Sequence, residues 1–246
     1  MLQNEQPEEG PIEDKARLLS LISILQPLSW DEISDLARRM PEVRLGKGQT
    51  LYPPKYRSGM LFLLLEGQVR LFEVTEGREF TLLVVRTGGL FGEMRLMDRR
   101  VQGAYAQALE PSRISLMSRD IFDKTVLRRP EVGLRMVDLL SERVAQYGGR
   151  LADIGIKEVH ARLASLILRL VESEGALVGG EIRISTRYTH YQLGTMIGAN
   201  REAVTNAMTQ LRVSGVLTTR HRYIHVRDVT ALKKAAGTMS DVESEY

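Results

Sequence analysis

Between Val43 and Ser118 the chain alternates short β-forming runs with turn residues, and this texture limits its fold more than any other feature. The runs are Gln49–Tyr52, Met60–Glu66, Gln68–Thr75, Arg78–Arg86, Ala104–Glu110 and Arg113–Met117. Glycines at Gly46, Gly48, Gly59, Gly67, Gly77, Gly88, Gly89, Gly92 and Gly103 punctuate them. Many short strands with frequent turns predict an antiparallel sandwich or barrel of jelly-roll type. The longest apolar run, Met60–Leu65, has the length of a buried strand and falls far short of the roughly 20 residues of a membrane span.

Helical patterns flank this region. Met1–Asp14 is acidic and proline-bearing and reads as a disordered tail, not a signal peptide. Lys15–Leu25 and Trp30–Met40 look like two short helices, with Ser29 as N-cap of the second. Pro130 opens a long helix with apolar residues at Met136, Leu140, Val144, Tyr147, Leu151 and Ile154. Their spacing is close to the 3.5-residue period of a coiled coil, so pairing with a second copy is expected; the alternative is a helix lying on its own barrel. Gly148 and Gly149 in its middle cost about 2 kcal/mol relative to alanine. Close helix–helix approach or a deliberately marginal, switchable helix would explain them. Gly155 then marks a hinge. Glu158–Glu172 is a further amphipathic helix, and Glu181–Ser185 a small strand.

The segment from Thr189 to Leu211 divides cleanly. Thr189 can cap a first helix buried through Leu193, Met196 and Ile197, with Gly194 allowing two helices to cross closely. Gly198 supplies a tight turn and Asn200 caps a second helix. In that second helix Val204, Met208 and Leu211 face a core, while Arg201, Glu202, Thr205, Asn206 and Thr209 form a polar face. Arginine can pair with guanine O6 and N7, glutamate accepts from cytosine N4, and asparagine pairs with adenine. A hairpin follows, Val216–Thr219 and Tyr223–Val226 joined through Arg220–Arg222, and Asp228 is placed to cap a last helix.

Charge agrees with this reading. The chain carries only +3 overall, yet Arg183–Lys234 holds nine basic residues against Glu202 and Asp228, a net +7. A basic C-terminal module suits a phosphate backbone. The chain has no cysteine, which removes disulfides, thiolate metal sites and iron–sulfur clusters, and its first histidine is His160. A cupin-like enzyme would need barrel histidines that are missing, so neither catalysis nor a cofactor is expected.

These motifs together resemble the cAMP receptor protein/FNR (Crp/Fnr) family of bacterial regulators, from about Leu21 to Lys234. Phe91-Gly92-Glu93 resembles the family's Phe-x-Gly-Glu turn, and Asn200-Arg201-Glu202-Ala203-Val204 its Ser-Arg-Glu-Thr-Val helix start. The resemblance implies an α+β fold: an N-terminal antiparallel β jelly roll like a cyclic-nucleotide-binding domain, a long dimerisation helix and a C-terminal winged helix-turn-helix. The expected division is a disordered tail over 1–20, a jelly-roll sensor domain over 21–129, the dimerisation helix over 130–155, the winged domain over 156–236 and a disordered tail over 237–246.

With no signal peptide and no apolar run of membrane-span length, the chain is expected in the cytoplasm and away from membranes. The resemblance further implies a homodimer on a palindromic double-stranded DNA site, with RNA polymerase as a partner. Arg201 and Glu202 would read a TGTGA-like half-site, beside Thr189, Asn200, Thr205 and Asn206, with Arg220 and Arg222 on phosphates. The family's second base-reading arginine is Asn206 here, which predicts a shifted site preference. Effector contacts would fall on Gly92, Glu93 and Tyr147, although Glu93 is read first as a turn carboxylate and Arg95, Arg99 and Arg100 as loop charges. The Arg-Ser pair that holds the cyclic phosphate in cAMP-binding members is Gln102-Gly103 here, and the adenine-contacting Thr-Ser is Tyr147-Gly148. A buried phosphate would lack its cation. The chain is therefore expected to act without an effector or with an unidentified small molecule. The alternatives are a cAMP-responsive regulator and a nucleotide-binding module acting on a partner protein.

Overall fold

The computed structural model describes residues 12–51, 60–92 and 104–237. The chain divides into two compact units, Met1–Val144 and Ala145–Tyr246.

The first unit starts with helix α1 (Ile12–Ser20), a 3-10 turn (Ser23–Leu25) and α2 (Trp30–Arg39). The tail expected over 1–20 is corrected at its end, because residues 12–20 are helical and bury Lys15, Ala16, Leu18 and Leu19. The helical pattern expected from Lys15 onward already overlaps that boundary, and the helix begins three residues earlier still, at Ile12. Ser29 caps α2 in a full capping box: its hydroxyl accepts from Glu32 N at 3.3 Å, and its own N–H donates to the Glu32 carboxylate at 2.8 Å.

Two antiparallel four-stranded sheets follow. Strands β1 (Glu42–Leu45), β8 (Ser112–Ser118), β3 (Met60–Glu66) and β6 (Leu90–Phe91) form one, in that spatial order. Strands β2 (Thr50–Leu51), β7 (Tyr105–Ala108), β4 (Gln68–Thr75) and β5 (Arg78–Arg86) form the other. This is the expected jelly roll, with β1 and β6 as strands that the sequence reading missed. β3 explains its own apolar run. Leu64 faces the core between the sheets with Val69, Val85, Phe91 and Ile114, while Leu61, Leu63 and Leu65 face a second core under α1 and α2. A strand buried on both faces loses the polar alternation of a half-exposed one.

Charged groups inside this unit are used on the unit itself. Arg113 on β8 holds Glu42 at 2.8 Å, Asp14 at 3.0 Å and Glu66 at 3.3 Å, joining α1 to three strands. Arg70, 4% exposed, donates to Gln107 at 2.8 Å and Glu79 at 2.6 Å and lies 4.1 Å over the Phe72 ring.

Helix α3 (Arg119–Arg128) leads into the long α4 (Pro130–Ile156), with proline at its first position. Val132 and Met136 pack into the core under α1 and α2, and Arg143 donates to the Leu90 carbonyl. Met136 was expected on the pairing stripe and is instead 9% exposed against its own unit. Val137, one residue or about 100° further round the helix, takes its place. Val137, Leu140, Val144, Tyr147, Leu151 and Ile154 are all between 37% and 72% exposed and alternate by steps of three and four. A side chain at Gly148 or Gly149 would meet nothing within 4 Å among the described residues, so no contact with them requires glycine there. The helix runs through Gly155, so the break falls two residues later than the expected hinge, at Lys157–Glu158.

The second unit holds the end of α4, then α5 (Val159–Glu174), β9 (Gly175–Val178), β10 (Glu181–Ile184), α6 (His190–Ile197), α7 (Arg201–Val213), β11 (Leu217–Arg220), β12 (Tyr223–Val226) and α8 (Val229–Ala235). Its antiparallel sheet has the order β11-β12-β10-β9. β9 was not expected. Asp228 caps α8 by accepting from Ala231 N at 2.8 Å.

Candidate nucleic-acid interface

Local sequence builds the α6–α7 pair. Thr189 starts α6 with a capping box: its hydroxyl accepts from Gln192 N at 3.1 Å, and its N–H donates to the Gln192 side chain at 2.9 Å. Gly198 ends the helix at φ 65°, a left-handed conformation that glycine takes without penalty, and its N–H donates to Gly194 O. Gly194 has its own reason. A side chain there would put its Cβ 2.5 Å from the Ala199 carbonyl oxygen. Asn200 caps α7 by accepting from Ala203 N at 2.8 Å. Thr189 and Asn200, both expected at the interface, thus have their side chains engaged in capping.

Helix α7 turns Val204, Ala207, Met208 and Leu211 into the core. Arg201, Glu202, Thr205, Asn206 and Thr209 are exposed together on the other side. Among the described residues, the side chains of Arg201, Glu202 and Asn206 make no hydrogen bond or ion pair. Their donors and acceptors are available to a ligand. The two threonines differ. Thr205 donates to Arg201 O at 2.9 Å and lies 2.8 Å from His190 Nδ1, and Thr209 donates to Thr205 O at 2.9 Å. His190 escaped the sequence reading because its link to Thr205 is tertiary. Burial, with Arg201 and Arg212 nearby, holds its pKa below the usual histidine value.

The α4 segment within this unit also bears on the pair. Arg150 donates to Met196 O at the C-terminal end of α6 at 2.7 Å, where a cation meets the negative end of the helix dipole. Burial, reinforced by Arg169, pulls its pKa down to about 10. Asp153, near the C-terminal end of α4, pairs with Lys157 at 2.8 Å and Arg169 at 3.0 Å, anchoring that end to α5.

The β11–β12 hairpin turns through His221 and Arg222, at φ 51° and 68°. Arg222 is exposed at its tip. Arg220, expected to contact phosphate, pairs with Glu181 at 3.1 Å, and Arg227 holds the same carboxylate at 2.8 Å. The Arg227 hydrogen bond, together with the charges of Arg220, Arg227 and His225, keeps Glu181 below the usual carboxylate range. Arg183 and Arg187 stack on Tyr223, at 5.0 and 4.5 Å from the ring centroid, a basic platform the sequence reading did not single out.

Of the expected effector residues, Gly92 and Tyr147 lie within the described residues. Gly92 follows β6 at φ 92°, and Tyr147 is 37% exposed on α4. Glu93, Arg95, Arg99, Arg100, Gln102 and Gly103 lie outside the described residues. Among the described residues no group of three or more His, Asp or Glu side chains could hold a metal ion, and no helix is long and apolar enough to cross a membrane.

A capped helix pair with a left-handed glycine turn, an exposed polar second helix and a following β hairpin define a winged helix-turn-helix, here preceded by a jelly roll and a long helix. Residues 161–235 match the Crp-like helix-turn-helix domain and residues 42–129 the cyclic nucleotide-binding domain. The cyclic AMP receptor protein of Thermus thermophilus is 30% identical over 178 residues, covering 72% of this chain and 79% of that protein. The CRP-like cAMP-activated global transcriptional regulator of Mycobacterium tuberculosis is 24% identical over 220 residues, covering 89% and 98%. A solved structure of a CRP/FNR-family transcriptional regulator from Thermus thermophilus superposes with a TM-score of 0.65 at 27% identity, over 80% of this chain and 98% of that one. The chain belongs to the Crp/Fnr family of helix-turn-helix transcriptional regulators.

Proposed function

We propose that this chain works as a homodimer on a two-fold-symmetric DNA site, placing one α7 in each major groove, and that it does so without cAMP. The observation that carries the reading is the exposed face of α7, where Arg201, Glu202 and Asn206 stand together with their polar groups uncommitted. In this reading Arg201 pairs with guanine, Glu202 accepts from a cytosine amino group and Asn206 pairs with adenine. Arg222, with Arg183 and Arg187, supplies phosphate contacts, and Arg220 joins them if the DNA draws it from Glu181. Thr189 and Asn200 act by placing helix N-termini toward the backbone.

The stripe from Val137 to Ile154 supports pairing of two chains, since an apolar row of coiled-coil period left in water is otherwise unfavourable. The substitution of Gln102-Gly103 and Tyr147-Gly148 for the family's nucleotide-holding pairs supports independence from cAMP. Regulation then comes through an unidentified small molecule at Gly92, Glu93 and Tyr147, or through abundance alone. RNA polymerase is the partner that such a dimer would recruit or block.

Selection of DNA sites from a random pool with the purified chain, with and without cAMP, tests this reading. A two-fold-symmetric TGTGA-related site, altered at the pair that Asn206 faces and enriched equally in both arms, is expected. No enrichment overturns the DNA reading. Enrichment only with cAMP overturns the effector reading. A monomer on an asymmetric half-site in sedimentation overturns the dimer.

A further inference from the structure

The two threonines on the polar face of α7 are unlike their neighbours. A hydroxyl has one proton to donate and two lone pairs to offer. Thr205 Oγ1 gives its proton to Arg201 O, at 2.9 Å. The 2.8 Å contact with His190 Nδ1 therefore runs the other way: the imidazole donates and the threonine accepts. The arrangement that satisfies both contacts has the His190 proton on Nδ1. Thr209 repeats the arrangement, donating to Thr205 O at 2.9 Å and accepting from Arg212 Nη2 at 3.1 Å.

A base edge approaching Thr205 thus meets a hydroxyl whose proton is already used and whose oxygen already accepts. A base acceptor could take the hydroxyl proton only by breaking the bond to Arg201 O. A base donor would meet a single remaining lone pair on an oxygen that already accepts from His190. The γ-methyl has no such prior use. Threonine methyls recognise the C5-methyl of thymine by apolar contact.

We infer that Thr205 reads DNA through its methyl group, selecting thymine at one position of the half-site, and that His190 is the positioning residue that keeps the hydroxyl occupied. The inference rests on the reading of α7 as the base-contacting helix and assigns one of its contacts. It separates two kinds of readout on one face: hydrogen bonds from Arg201, Glu202 and Asn206, and a methyl contact from Thr205.

Uracil differs from thymine only by that C5-methyl, so a uracil scan of the selected site tests the inference. Each thymine of the half-site is replaced by uracil in turn, and binding is measured for wild type, Thr205→Val, Thr205→Ser, His190→Ala and His190→Gln. Wild type should lose about fourfold in affinity at one position, the worth of one buried methyl. Thr205→Val keeps the methyl and should keep that penalty at the same position. Thr205→Ser removes the methyl and should bind thymine and uracil sites equally. His190→Ala removes the donor to the Thr205 oxygen and should blur the preference, while His190→Gln, which can still donate, should preserve it.

A scan that is flat at every position, or a uracil penalty that survives in Thr205→Ser, overturns the inference. So does a Thr205→Val variant that remains folded by circular dichroism yet loses the thymine preference. If wild type selects no site at all, the DNA reading itself has failed. If it selects a site and the scan is flat, only the methyl contact has.

Discussion

The jelly roll and the helix-turn-helix unit treat their charged side chains in opposite ways. In the roll, Arg113 is closed upon Glu42, Asp14 and Glu66, and Arg70 upon Glu79 and Gln107. On α7, Arg201, Glu202 and Asn206 face solvent without a partner among the described residues, although carrying free polar groups on an exposed helix does nothing for the fold. Charges that serve structure find their counter-ions within the chain, and the uncommitted groups of α7 are the ones to which the proposed DNA reading assigns base contacts. The wing lies between these limits: Glu181 engages Arg220 and Arg227 on one side, while Arg222 stands free at the tip among the described residues.

Substitutions should separate the two regimes. Arg113→Ala leaves Glu42, whose side chain is 4% exposed, without its main partner and should destabilise the roll by about 3 kcal/mol. Chemical unfolding would measure the loss, and the preferred DNA sequence should not change. A variant that kept its stability but altered its DNA site would break the comparison. Next comes Gly194→Val, which drives a side chain against the Ala199 backbone and should cost about 2 kcal/mol in the second unit. Hydrogen exchange should show the loss in α6 and α7 and leave the roll strands protected. Arg201→Ala reverses the pattern, with stability within about 0.5 kcal/mol of wild type and specific DNA binding weakened by about 1–3 kcal/mol. An equal loss on random DNA would mean that Arg201 holds phosphate and reads no base.

How far the sequence revealed these features depended on whether the signal was local. The N-caps at Ser29 and Thr189, the turn at Gly198 and the Asn200 cap each lie within a few residues and were read directly, while the reciprocal bonds from Glu32 and Gln192 came only with the structure. The glycine-punctuated runs likewise announced the roll. Short strands without strong alternation, β1, β6 and β9, did not stand out. Met136 and Val137 show a different difficulty. Both are apolar and adjacent, so the pairing stripe could start at either until packing under α1 and α2 claimed Met136. Three-dimensional contacts were out of reach altogether: His190 with Thr205, Arg150 with Met196, and Glu181 with two arginines join residues 15 to 46 positions apart.

The smallest predicted effect concerns pH, and it again divides the two regions. His190 has its pKa lowered by burial and by Arg201 and Arg212, so the unfolded chain binds its proton more readily than the folded unit does. Stability of the second unit should therefore be full above about pH 6.5 and decline as pH falls from there toward the lower folded value. The sign is opposite to that of a histidine paired with a carboxylate. In the roll the corresponding groups are acids. Asp14 is held below the usual carboxylate range by Arg113 and then Arg17, and Glu32 lies at about 2 through the Ser29 N–H and then Arg129. Their contribution persists above the ordinary carboxylate pKa of about 4 and fades only below it. Mild acidification to pH 5.5 should thus lower the melting transition of the helix-turn-helix unit and leave that of the roll in place. His190→Gln should flatten the first response alone. An unchanged slope in that variant would assign the titration to another group. The Thr205 contact survives in either case, because a protonated imidazole still donates from Nδ1.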